Sequence, residues 1–326
     1  METKKQKISL ITIVICLIYL FLAIYFSIYF WDRDYDIAKY WVEQKTKPFY
    51  AVFMNRTIFD GEGFGGQDFS NITIAIALFL YLLSFSRRFQ EKLLSTRKYT
   101  GFMLGVALIE TLNISRLLRG FFCRARPYHV MEGKEIFTHL LTFGPYNFDE
   151  ALNHGSFPSG HTFSAMFLLS LAFISLRTKK IFFILPVFLI TISYGIAMGA
   201  GRVMFGAHYP GDVLWSILFS IPVTGWLYFK TFQIPDQEKG LFKINYTPSE
   251  GRSIINKITD LKRYLWELYY SLLFIFFSIS IFTLFSGIKY TFLDFNYYWL
   301  LISLLGTGLS LLFYSKLSRF KHEISE

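Results

Sequence analysis

Charge is scarce in this sequence. Aspartate, glutamate, lysine and arginine make up 17% of its 326 residues, against about a quarter in a soluble domain. Cysteine is nearly absent: Cys16 and Cys123 are the two present. That excludes a disulfide scaffold and a cysteine-based zinc site. Cys16 lies inside an apolar run, so no bridge to Cys123 is expected, and the redox compartment stays open. No internal repeat or low-complexity tract is visible. What is abundant is apolar: 53% of residues are hydrophobic, with 38 Phe and 21 Tyr. One soluble core of this size does not hide so many aromatic rings. Disorder, a collagen-like repeat and a soluble nucleic-acid binder are excluded, and the composition is that of a membrane protein.

A bilayer core of about 30 Å takes about 20 apolar helical residues, and only helices or closed barrels satisfy their own backbone there. The apolar runs are long and continuous instead of short and alternating, which favours helices. Eight spans are expected: Ser9 to Phe30, Ile72 to Phe85, Gly101 to Leu118, Thr162 to Leu176, Ile181 to Ala200, Asp212 to Phe229, Leu265 to Phe285 and Tyr297 to Tyr314. The second and fourth are short and should extend into their flanks. The first run is too long for a signal peptide and ends in bulky residues without a small-residue cleavage site, so it is read as a retained helix. Trp31 to Asn71 is expected as an outer loop, with an amphipathic stretch over Tyr35 to Val52, read as an interfacial helix, and a flexible patch at Gly61, Gly63, Gly65 and Gly66.

With the N-terminus inside, 21 of the 33 lysines and arginines flank the inner ends of these spans. The formal net charge of +10 is then mainly an orientation signal facing lipid headgroups, and no nucleic-acid partner is expected.

Under this topology three polar clusters share the outer face. The first, Arg119 to Pro127, closes the third span. Arg119 and Arg126 are seven residues apart, on one face of an ideal helix with an axial offset of roughly 10 Å. Guanidinium forks match phosphate oxygens, and Pro127 stops the helix. Taken singly, the cluster is equally an interfacial basic rim. The second is Ser156-Phe157-Pro158-Ser159-Gly160-His161, a turn feeding the fourth span. Ser159 is a candidate N-cap, Gly160 lets backbone N–H groups approach an anion, and His161 is placed to protonate a leaving oxygen. The third runs from Gly201 to Asp212. His208 and Asp212 are four apart on one helical face, so the carboxylate would orient the imidazole. His208 itself would be the nucleophile, since no Ser or Cys holds a comparable place. Arg202 adds a third cation. Glu110 and Asn113, inside the third span, are read as helix–helix hydrogen-bonding groups.

Together these clusters resemble the signature of the type 2 phosphatidic acid phosphatase superfamily: Lys-x6-Arg-Pro, then Pro-Ser-Gly-His, then Ser-Arg-x5-His-x3-Asp. The match runs from Arg119 to Asp212 in order and spacing. Arg119 stands where the family has Lys, and Gly201 where it has Ser. The resemblance implies an all-α polytopic membrane protein with a six-helix phosphatase core; the last two spans, after roughly Leu265, lie outside that core as a two-helix C-terminal extension that the resemblance does not explain. The chain then divides into a first helix with its outer loop (1–71), a core holding the three motifs (72–232), an inner basic linker (233–264) and a C-terminal hairpin (265–326).

The resemblance also implies roles. His208 attacks phosphorus and becomes phosphohistidine. Asp212 orients it, and His161 protonates the leaving oxygen and then activates water. Arg119, Arg126 and Arg202, with Ser159 and the Gly160 amide, bind the phosphate. No metal and no cofactor are expected. The expected partner is a membrane lipid phosphate in the bilayer: phosphatidic acid, phosphatidylglycerol phosphate, a polyprenyl diphosphate or a phosphate of lipid A. The competing readings are phosphoryl transfer to a lipid acceptor, a glucose-6-phosphatase-like sugar phosphatase and a non-catalytic lipid scaffold. The loop from Tyr128 to Gly155 is expected to shape headgroup choice, with Asp149, Glu150 and His154 as ordinary loop residues. A bias toward Ile, Lys, Phe and Tyr suits an AT-rich bacterial genome. The expected location is therefore a bacterial inner membrane with the site facing the periplasm; a lumenal site in the endoplasmic reticulum is physically equivalent.

Overall fold

The computed structural model describes residues 10–44, 66–86, 88–144, 154–238, 268–269, 271–281, 283–284 and 298–325. The protein is an all-α polytopic membrane protein, and no strand occurs among the described residues. In chain order the helices are α1 (Leu10–Glu43), α2 (Gly66–Leu83), α3 (Gln90–Val106), α4 (Ser115–Phe122), α5 (Pro127–Met131), α6 (Gly160–Met166), α7 (Leu169–Ser175), α8 (Ile181–Met204), α9 (Pro210–Trp226) and α10 (Ile234–Glu238). Then come α11 (Ser271–Ile281) and α12 (Tyr298–Ser325). Among the described residues six helical tracts are long and apolar enough to cross a bilayer, and two shorter apolar helices fall where the second and seventh spans were expected.

The first span departs from expectation. Instead of ending at Phe30 in a loop, α1 runs on to Glu43. Residues 31–43 contain neither Gly nor Pro, so nothing in them breaks a helix. Asp34 and Ala38, one turn apart, are both fully buried, and they dock this continuation onto the bundle. Its lower half shows Ile15, Phe21 and Ile28 to the surrounding lipid. The remainder of the expected outer loop, with Gly61, Gly63 and Gly65, lies outside the described residues, as does most of the basic linker; Gly66 opens α2.

Helices α3 and α4 are joined by a π-helical segment, Ala107–Ile114. Such widenings re-aim side chains, and this one carries Glu110 and Asn113. Glu110 Oε2 accepts from the Thr224 hydroxyl of α9 at 2.7 Å, and Asn113 Oδ1 accepts from Ser278 of α11 at 2.6 Å. Both are the interhelical hydrogen bonds expected of them. The hairpin continues this seam: Ser303 donates to the Ser280 carbonyl at 2.9 Å, opposite Gly306, whose lack of Cβ brings the backbones together.

The centre of the bundle is a cluster of Phe102, Ile109, Phe163, Phe167, Phe173 and Tyr228. Close packing around it relies on small residues. A Cβ on Gly195 of α8 would overlap Met166 of α6, and one on Gly199 would overlap Val213 of α9. Helices α6 and α7 are separated by a break at Phe167–Leu168, where Leu168 N–H turns to the Ala165 carbonyl. The Ser164 carbonyl is taken instead by the Ser70 hydroxyl of α2 at 2.6 Å, as a buried acceptor requires. The end of α4, the start of α6 and the turn between α8 and α9 meet at one end of this bundle.

Candidate active site

Backbone hydrogen bonds stitch the three motifs together. Ser156 N–H donates to the Arg124 carbonyl at 2.7 Å, Tyr128 N–H to the Gly206 carbonyl at 2.9 Å, and Ser159 N–H to the Asp212 carbonyl at 3.4 Å. Gly206 holds φ +79°, and a Cβ there would crowd Val42 at 3.1 Å and touch Tyr128 at 3.5 Å. Glycine is the residue that takes this turn without strain.

The first motif is not one helix. α4 ends at Phe122, and Cys123 takes the left-handed conformation with φ 54°. Arg126 is extended, at the N-cap of α5, and Pro127 opens that helix. Arg119 and Arg126 therefore do not share a helical face, and Pro127 starts a helix instead of stopping one, a role its fixed φ suits. The chain breaks early because the Phe122 carbonyl is claimed by Gly144 N–H at 2.7 Å. The two arginines still converge. Arg119 lies over Gly160, where a Cβ would overlap its Nη2, and both act electrostatically on His208.

In the second motif, Ser159 is the N-cap of α6. Its Oγ accepts from Thr162 N–H at 3.4 Å and from the Thr162 hydroxyl at 2.9 Å, which leaves its own O–H hydrogen to donate. His161 is half-buried in the first turn, and its ring centroid is 6.3 Å from that of His208.

His208 is buried, as is Arg202 at the end of α8. The His208 Nδ1 lies 2.6 Å from the Ser156 carbonyl. A carbonyl only accepts, so Nδ1 carries the proton and Nε2 keeps its lone pair. Burial, reinforced by Arg126, Arg202, Arg119 and His161, holds this imidazole well below its ordinary pKa, so it is neutral at physiological pH.

Asp212 does not contact the imidazole as the four-residue spacing suggested. Its Oδ2 is 4.0 Å from Nδ1. That oxygen accepts from the Ser156 hydroxyl and from Tyr209 N–H at 2.9 Å, while Oδ1 accepts from Arg124 Nη1 at 2.6 Å. Asp212 thus reaches His208 through Ser156: it holds the serine whose carbonyl holds the ring. Pro210 sets the first turn of α9, which faces Nδ1 toward Ser156 and not toward the carboxylate.

Three residues of this arrangement were not assigned from sequence: Ser156, Arg124 and Asp34. Arg124 is fully buried. Its Nη1 also donates to Asp34 Oδ2 at 2.9 Å, and its Nε donates to the Thr138 carbonyl at 3.0 Å. The available signal for Asp34 was its spacing from Ala38 and Trp41 on one helical face. Among the loop residues, His154 is exposed, and Asp149 and Glu150 lie outside the described residues. No group of three or more His, Cys, Asp or Glu side chains suited to a metal ion occurs among the described residues.

The family model of the PAP2 superfamily matches residues 98–234. The chain is 30% identical over 148 residues to a lipid A 1-phosphatase of Rhizobium johnstonii, covering 42% of this chain and 54% of that protein. It is 29% identical over 173 residues to a lipid A 1-phosphatase of Rhizobium etli, covering 50% of this chain and 66% of that protein. The chain thus spans between about half and two thirds of the length of these curated relatives. No solved structure gives a significant match.

Proposed function

Since residues 98–234 belong to the PAP2 superfamily, we propose that the protein is a membrane phosphatase that hydrolyses a lipid phosphate through a phosphohistidine on His208. The observation that carries this reading is the pair of imidazoles 6.3 Å apart between centroids, one of them neutral by burial and by the three arginines around it. One phosphoryl group fits between two such rings. His208 Nε2 attacks phosphorus while the ester oxygen departs with a proton from His161. His161, now neutral, takes a proton from water; the hydroxide attacks phosphorus, the P–N bond breaks, and its electron pair returns to Nε2. Arg119, Arg126, Arg202, the Ser159 hydroxyl and the Gly160 amide hold the three equatorial oxygens. Fixed positive charge aimed at the transferring group is what this chemistry needs, so the mechanism calls for no metal.

A lipid is favoured over a soluble sugar phosphate by a cavity of about 560 Å³ between α1, α8 and α9. Its walls are apolar throughout and include Phe26, Phe30, Trp41, Ala200, Val203 and Pro210. Val203 follows Arg202 in the chain, and Pro210 lies two residues past His208. A pocket of this size suits an acyl chain. The relatives' names point to a phosphate of lipid A among the candidate headgroups. The excess of basic residues on the inner flanks favours a site on the outer face of the membrane, and the bacterial source of the relatives favours a bacterial inner membrane with that face toward the periplasm.

The test is phosphate release by the purified protein in detergent, with EDTA present, from lipid A, phosphatidic acid, phosphatidylglycerol phosphate, a polyprenyl diphosphate and glucose 6-phosphate. Release from a lipid and none from the sugar is expected; the reverse order sinks the reading. Ala200→Trp, which fills the cavity, should lower kcat/KM for a long-chain lipid phosphate about tenfold, the scale of a few lost methylene contacts. It should leave a short-chain soluble analogue nearly unaffected. Equal losses on both would place the acyl chain elsewhere.

A further inference from the structure

We infer that Asp34, on the first helix and outside the segment matched to the family, is a positioning residue of the reaction, acting on His208 through Arg124, Asp212 and Ser156; this rests on the reading of the site given above. The connection is continuous in measured contacts. Arg124 Nη1 donates to Asp34 Oδ2 at 2.9 Å and to Asp212 Oδ1 at 2.6 Å. Asp212 Oδ2 takes the Ser156 hydroxyl, and the Ser156 carbonyl takes His208 Nδ1–H at 2.6 Å. Asp34 has a second hold on the same turn: its Oδ1 accepts from Gly211 N–H at 2.7 Å, one residue before Asp212. All members from Asp34 to His208 are buried, so solvent does not screen them.

The charges explain why a second carboxylate is present. Arg124 alone would neutralise Asp212. With Asp34 ionised on the same guanidinium nitrogen, two carboxylates would oppose one cation, and one negative charge would be left behind His208. The ring becomes cationic as its Nε2 bonds to phosphorus, and it does so facing Arg119, Arg126 and Arg202. A residual negative charge on its far side favours that state over the free imidazole. Asp34 therefore acts on the phosphoryl-transfer step and not on the capture of the anion, which belongs to the three outward-facing arginines.

The experiment compares Asp34→Asn and Asp34→Glu with the wild-type protein in detergent, using the lipid phosphate that the wild type hydrolyses. Asparagine has one acceptor oxygen and no charge, so it cannot serve Gly211 N–H and Arg124 together. Glutamate keeps the charge and both acceptors, one methylene further out. Asp34→Asn should lower kcat/KM by about 10–100-fold, by analogy with the range for groups that orient metal-bound histidines from behind. The inhibition constant of inorganic phosphate, a measure of ground-state anion binding, should stay within about twofold. Asp34→Glu should retain more activity than Asp34→Asn although it packs less well. The proposal is overturned if Asp34→Asn keeps kcat/KM within about twofold of wild type. It is equally overturned if phosphate affinity falls in step with kcat/KM, the mark of a merely structural role. If Asp34→Asn does not fold, Asp34→Glu decides alone: kcat/KM partly lowered with phosphate binding intact supports positioning, while kcat/KM within about twofold of wild type, or a joint loss of catalysis and phosphate binding, refutes it. A wild-type protein that releases no phosphate from any lipid overturns the reading of the site, and this inference with it.

Discussion

His208→Ala should abolish turnover, with at least about a thousandfold loss in kcat, since removing a covalent nucleophile leaves only the binding contribution of the site. The expectation follows from position as well as type. His208 is the imidazole with a defined tautomer, its Nδ1 committed to the Ser156 carbonyl at 2.6 Å, and the ring toward which Arg119, Arg126, Arg202 and His161 converge. Alanine removes a neutral ring and no charge, so membrane insertion and elution as a single species in detergent should be preserved. Rapid quench in alkaline detergent, where the P–N bond of phosphohistidine survives, should trap labelled phosphoprotein in the wild type and none in the variant. Activity above a few per cent of wild type in a folded His208→Ala preparation would transfer the nucleophile to another group.

The same burial fixes a pH dependence. His208 is held well below its ordinary pKa by desolvation and by the surrounding cations. The attacking form is the neutral ring. The acid limb of kcat/KM should therefore fall below pH about 6.5, the unperturbed value for histidine. Stability follows in the same direction. Below pH about 6.5 the unfolded chain protonates this histidine while the folded chain does not. The contribution of His208 to stability is complete above that pH and is lost as the pH falls toward the folded pKa. An acid limb centred above pH 6.5 would mean that the nucleophile is not this buried ring.

Much of this candidate site was legible in the sequence because the residues proposed to hold phosphate are distinctive by type and lie at fixed short spacings. Ser159-Gly160-His161 needs only a capped helix start to become an anion site, and Ser159 is that cap. Four-residue spacing placed Asp212 near His208 correctly. It did not reveal that the turn before α9 aims Nδ1 at a carbonyl from another motif, because that contact spans 52 residues. Helical geometry misplaced Arg126 for a related reason. The helix ends at Phe122, where Gly144 N–H, from a distant loop, takes the last carbonyl, while Pro127 offers no N–H to the Cys123 carbonyl and keeps Arg126 extended. Asp34 was hidden by its neighbours. In Asp32-Arg33-Asp34-Tyr35-Asp36 every charge suggests a solvated surface, and only the buried Arg124 distinguishes one of them.

Arg124→Ala should be the most damaging single change to stability. Arg124 is fully buried, and its Nη1 is the cation shared by Asp34 and Asp212. Removing one partner of a buried ion cluster costs about 3–5 kcal/mol, because the remaining charges lose their compensation without regaining water. Here two carboxylates would be left facing each other. The guanidinium also stacks over the Tyr209 ring at 4.0 Å and donates to the Thr138 carbonyl, so packing and a loop contact go with it. Arg124→Ala should thus unfold at a markedly lower temperature in detergent than His208→Ala, which deletes a neutral group. Adding Asp34→Asn to Arg124→Ala removes one of the two orphaned charges. The double variant should be more stable than Arg124→Ala alone, although Asp34→Asn by itself should not stabilise the wild type. Such a sign reversal is the signature of direct coupling between neighbours. If the two substitutions simply add, the carboxylates do not share one cation, and the residual negative charge assigned to the rear of His208 has no source.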